Sequence, residues 1–82
     1  MPVVKLYTRK RCPLCDDAKK ILLELREERG FSLEEVDIEE SDALTELYGL
    51  MIPVVEINGV EVQYGKINKN VIKNYLNKVI VD

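Results

Sequence analysis

The stretch YTRKRCPLCDDAKK, Tyr7 to Lys20, decides how this chain is read. Arg9, Lys10 and Arg11 lead into Cys12. Pro13 and Leu14 separate it from Cys15, and Asp16 and Asp17 follow at once. The chain has only 2 cysteines, so both sit here. Upstream, Val3–Thr8 mixes β-branched and aromatic residues, the composition of a strand. From Pro13 the period changes. Ala18, Ile21, Leu22 and Leu25 fall at i, i+3, i+4 and i+7, the pattern of an amphipathic helix. Pro13 suits a first helical turn and Gly30 the position just past the end. The cysteine pair therefore stands where a strand hands over to a helix.

That junction has a chemical consequence. The first turn of a helix presents unpaired N–H groups and about half a positive charge. A thiolate at Cys12 would accept those N–H groups. Lys10 and Arg11 add positive field, and Pro13 opens the helix without losing a donor, so these three residues favour the thiolate form. Cys15, three residues on, shares the helical face and can reach Cys12. Such a pair suits attack on a disulfide by one thiol and resolution by the other. A zinc half-site completed by a second chain, two small core residues, and a static structural disulfide are the other readings. A zinc site lacks two ligands here, and a loop of three residues constrains little chain. The redox reading is preferred. Asp16 and Asp17 complement the helix dipole, with Asp16 pairing to Lys19 or Lys20.

Composition narrows the chemistry. The 82 residues predict one domain, 1–82. Hydrophobic residues make up 46 % and charged residues 33 %, a globular balance. No apolar run approaches the roughly 20 residues of a membrane-spanning helix. The chain opens straight into VVKLYT without a basic-then-apolar leader, which predicts a cytoplasmic protein. A net charge of −3 with mixed signs offers no case for nucleic acid or an anionic membrane. There are 0 histidines, which removes imidazole catalysis and imidazole metal ligation.

The remaining elements follow by local signals. A second strand is predicted at Ser32–Ile38, with Phe31, Leu33, Val36 and Ile38 apolar among polar neighbours. The strand–helix–strand spacing implies parallel strands with a right-handed crossover. A short helix begins after a Ser41 or Asp42 cap and stops at Gly49. Val54–Ile57 and Val60–Tyr64 flank Asn58-Gly59, a type I′ hairpin signal. Val71, Ile72, Tyr75, Leu76, Val79 and Ile80 mark one face of a last helix capped by Asn68 or Asn70. The order is β-α-β-α-β-β-α.

With these residues in hand, the sequence resembles the glutaredoxin family of the thioredoxin fold. YTRKRCPLC is similar to the family's Tyr-Thr-Lys-x-x-Cys-Pro-Tyr-Cys segment, and MIPVV to its Thr-Val-Pro segment. The resemblance spans essentially the whole chain. It implies an α/β thioredoxin-like fold, a four-stranded mixed sheet ordered 2-1-3-4 covered by three helices. It implies an exposed nucleophile at Cys12, a more buried resolving thiol at Cys15, and a cis Ile52–Pro53 bond beside them. Arg9 matches a basic residue that meets a glutathione carboxylate in the family. Leu14 replaces a tyrosine and keeps an apolar wall. Ile52, Pro53, Gly65 and Asn68 complete the expected substrate-binding set. In YGKIN, Ile67 and Asn68 stand where the family carries two aspartates, so the carboxylate for the glutathione amine is missing.

The expected function is a thiol–disulfide oxidoreductase with a CxxC redox-active disulfide. It would reduce protein or low-molecular-weight disulfides in electron transport and cell redox homeostasis. No bound cofactor or metal is expected. Glutathione is a possible co-substrate, and a thioredoxin-reductase-type protein is the alternative source of electrons. The expected molecule is a monomer. A second alternative is a non-enzymatic iron–sulfur or metal carrier, in which two chains share a cluster.

Overall fold

A computed structural model describes residues 1–80 of the chain. The elements are β1 (Val3–Thr8), α1 (Pro13–Arg29), β2 (Ser32–Asp37), a 3-10 turn (Ile38–Glu40), α2 (Asp42–Tyr48), β3 (Val54–Ile57), β4 (Val60–Tyr64) and α3 (Lys69–Val79). The strands form one sheet in the order β2-β1-β3-β4. β1 and β2 are parallel, while β3 is antiparallel to both β1 and β4. This is the thioredoxin-like topology.

Alternation along the strands decides the two faces. Val4 and Leu6 of β1 and Val55 and Ile57 of β3 point to one side. There they meet Ala18, Leu22 and Leu25 of α1 and Ile72 and Leu76 of α3. Tyr7 and Val54 point to the other side and pack with Ile38, under Leu44 and Tyr48 of α2. The Tyr7 and Tyr48 rings lie 4.7 Å apart between centroids. α1 and α3 thus cover one face and α2 the other.

Local choices open in the sequence are settled by side-chain geometry. The Ser41 hydroxyl accepts the Leu44 N–H at 3.2 Å, so Ser41 caps α2 and Asp42 is its first residue. The Asn68 side-chain oxygen accepts the N–H groups of Asn70 at 2.9 Å and Val71 at 3.2 Å, so Asn68 caps α3. Asn68→Ala should destabilise the protein by about 1 kcal/mol in urea unfolding. An unchanged midpoint would show the cap to be dispensable. At the hairpin, Asn58 and Gly59 have φ of 50° and 83°, as a type I′ turn requires.

Two expectations need correction. β2 ends one residue early, because the Asp37 carboxylate accepts the Glu39 N–H at 2.9 Å and turns the chain into the 3-10 segment. Ile38 is still fully buried, outside the strand. Val71 is 42 % exposed. The buried stripe runs through Ile72 and Leu76, and Val71 lies a residue off it, about 100° around the helix. The pairing of β3 with β4 also shifts register between Val55 and Glu56, a bulge that the alternating pattern does not reveal.

Candidate functional site

The site is built at one end of the sheet. Tyr7 pairs with Val54, and Val54 with Tyr64. The loop after β1, the Ile52–Pro53 bond before β3 and Gly65 after β4 are therefore neighbours. These three segments carry most of the residues singled out in the sequence.

Cys12 is the N-cap of α1, in extended conformation. Its Sγ accepts the Cys15 N–H at 3.1 Å, and its carbonyl accepts the Asp16 N–H at 3.0 Å. Cys12 and Cys15 are joined as a disulfide, with Cα atoms 5.1 Å apart. Cys15 is 2 % exposed, whereas Cys12 is half-buried. One sulfur thus faces the helix terminus and solvent, and the other faces inward.

Arg9, Lys10 and Arg11 are all exposed. Arg11 has φ of 57°, the left-handed region, which costs a non-glycine residue roughly 1–2 kcal/mol. This strain immediately precedes Cys12 and turns the chain from β1 into the helix cap. Nothing in the composition of RKR signals it. Leu14 is 43 % exposed at the helix start, an apolar surface beside the cysteines.

The Ile52–Pro53 bond is cis. Pro53 is buried, and Ile52 is half-buried against the Tyr7–Ile38–Val54 cluster. Tyr7 lies under this end of the sheet, its hydroxyl 3.3 Å from Glu56 Oε2. Burial first, and then the Glu56 charge, pushes its phenol above the usual tyrosine range, so it stays protonated near neutrality. Gly65, at φ 75°, donates its N–H to the Pro53 carbonyl at 2.8 Å and the Met51 carbonyl at 3.1 Å. Ile67 turns inward and is only 7 % exposed, packed in the α1–α3 core. The Asn68 oxygen is taken up by the α3 cap.

Lys19 does not pair with Asp16. Its ammonium meets Glu35 Oε2 at 3.1 Å, because α1 lies across β2. Beside the cysteines, on the β2 side, is a cavity of about 390 Å³, lined by Cys15, Thr8 and Asp37 among others. Sequence spacing gave no hint of it, since its walls come from three separate segments. Among the described residues no group of three or more Cys, Asp, Glu or His side chains could hold a metal ion. No helix of the described residues is long and apolar enough to cross a membrane.

Residues 3–77 match the family described as Glutaredoxin-like domain (DUF836). This chain belongs to the glutaredoxin-like family. Solved structures agree. The glutaredoxin-like chain is 28 % identical to protein Ne2328 from Nitrosomonas europaea, with a TM-score of 0.78 over 90 % of this chain and 89 % of that one. It is 26 % identical to protein XcR50 from X. campestris, with a TM-score of 0.78 over 93 % and 97 %. A mutant thioredoxin from Halobacterium salinarum, 19 % identical, shares the fold with a TM-score of 0.76 over 99 % of this chain and 76 % of that one. Fold, family and the Cys12–Cys15 disulfide together support a thiol–disulfide redox role for this glutaredoxin-like protein.

Proposed function

We propose that this glutaredoxin-like protein is a thiol–disulfide oxidoreductase that reduces disulfides of other proteins. The observation that carries the reading is Cys12 Sγ at the helix cap, 3.1 Å from the Cys15 N–H and bonded to a buried partner sulfur. In the dithiol form, the same N–H and the helix terminus stabilise a Cys12 thiolate. That thiolate attacks a substrate disulfide and forms a mixed disulfide. The first product thiolate leaves and takes a proton from solvent. Cys15 then loses its proton and attacks Cys12 Sγ. The Cys12–Cys15 bond forms, the mixed disulfide breaks, and the second product leaves as a thiol. Two electrons pass from the protein to the substrate.

The electrons are restored by a protein reductase of the thioredoxin-reductase type, more than by glutathione. Three features favour that branch. Ile67 occupies the core, the Asn68 oxygen is spent on capping α3, and the Gly65 N–H is spent on the Met51 and Pro53 carbonyls. The stretch Gly65–Asn68 carries no carboxylate for the amine of the γ-glutamyl end. Arg9 remains free to meet a substrate carboxylate, and Leu14 and Ile52 to provide apolar contact. We place the activity in the cytoplasm, where electron transport to protein disulfides serves redox homeostasis.

The test is turnover on insulin disulfides with two recycling systems. NADPH with thioredoxin reductase should support at least roughly tenfold faster reduction than glutathione with glutathione reductase. Equal or faster turnover with glutathione would overturn the choice of electron source. Absence of reduction by the pre-reduced protein would overturn the enzyme.

A further inference from the structure

The resolving half of the reaction needs a proton acceptor. Cys15 is almost fully buried, and apolar burial favours the thiol over the thiolate. Among the described residues no buried side chain is polar or charged, and the chain holds 0 histidines. No base therefore stands behind Cys15 inside the core.

The 390 Å³ cavity supplies the missing route. Cys15 lines it, and polar side chains form much of its remaining wall. It is ample for water, whose share of liquid volume is about 30 Å³. Four carboxylates border it: Asp16, Glu35, Asp37 and Glu40. They are not equivalent. Glu35 is held by Lys19, and Asp16 and Glu40 are exposed. Asp37 is the half-buried one. Its backbone is fixed by pairing with Thr8 at the end of β1. Its Oδ1 is fixed by the Glu39 N–H, which leaves the second oxygen for a water in the cavity. The cations facing the same space are Arg9, Lys10 and Lys19.

We propose that Asp37, through water in this cavity, accepts the proton of Cys15 when Cys15 resolves the mixed disulfide. The inference rests on the oxidoreductase reading above. In the step, the Cys15 proton passes by water to the Asp37 carboxylate. The Cys15 sulfur bonds to Cys12, the Cys12–substrate bond breaks, and the departing thiolate is reprotonated from solvent. Asp37 then returns its proton to solvent.

The experiment follows the two steps apart. Reduced protein is mixed with one equivalent of 2,2′-dithiodipyridine, and pyridinethione release is followed by stopped flow from pH 5.5 to 9. The first phase reports attack by Cys12 and the second reports resolution by Cys15. Asp37→Asn keeps the oxygen that caps the turn. It should slow the second phase by at least roughly tenfold near pH 6.5 and leave the first phase within about twofold. The defect should shrink toward pH 9, where the thiol ionises unaided. Glu40→Gln, in the same cavity, should leave the second phase within about twofold. In the unmodified protein the second phase should slow by at least about twofold in deuterium oxide, a readout that holds even if Asp37→Asn folds poorly. An unchanged second phase in Asp37→Asn, an equal defect in Glu40→Gln, or no solvent isotope effect overturns the role of Asp37. Absence of both phases in the unmodified protein overturns the oxidoreductase reading, and this inference with it.

Discussion

Cys12→Ser should lower disulfide reduction by at least about a thousandfold, and Cys15→Ser should stop the reaction after one attack. The two losses differ in kind. A serine hydroxyl at position 12 does not ionise near neutrality, so the N–H of Cys15 and the helix terminus have no anion to stabilise. Cys15→Ser keeps the nucleophile and removes the group that displaces product. It should therefore accumulate a mixed disulfide, visible as an added mass on the intact protein. Stability separates a redox role from a structural one. A bridge closing so short a loop contributes less than about 2 kcal/mol, so both variants should fold. Activity in Cys12→Ser within tenfold of the unmodified protein would end the oxidoreductase proposal.

Ile67→Asp should cost about 3–5 kcal/mol and give no glutathione-dependent activity. This substitution restores the family's aspartate in YGKIN, and by motif alone it looks like a repair. In the structure Ile67 lies in the core between α1 and α3, beside Leu76 and Ile72. An introduced carboxylate would lose water there and gain no partner. For a domain of this size the cost approaches the whole folding free energy of about 5 kcal/mol or more. The pH dependence has a definite sign. Burial raises the folded-state pKa of the new carboxyl above its unfolded value of about 4. The deficit should be smallest below that pH, where both states are protonated, and should grow as pH rises through and above it. Urea unfolding at pH 4 and pH 7 measures this. A variant as stable as the parent at pH 7, with glutathione-dependent turnover, would show that Ile67 points toward a working glutathione site.

Much of the site was legible because its signals are local. The cysteines at a strand-to-helix junction, the proline at the first helical position and the Asn-Gly turn each act within four residues. Their outcomes, the Cys12 cap and the positive φ at Asn58 and Gly59, depend on little else. Where two neighbours had similar chemistry, the sequence left a choice. Ser41 and Asp42 are both good caps, as are Asn68 and Asn70. The backbone entering each helix decided which side chain could reach back.

By itself the sequence determined the element order, the cysteine pair and the helix end that Cys12 caps. Periodicity and cap chemistry are properties of adjacent residues. Only the tertiary structure decided that Ile67 faces the core, that Lys19 reaches Glu35 on another element, and that Asp37 shares a cavity with Cys15. Each of these depends on register between segments distant in the chain, such as Thr8 beside Asp37. Sequence spacing does not encode that register. It is set by which apolar faces of the sheet and helices are buried together.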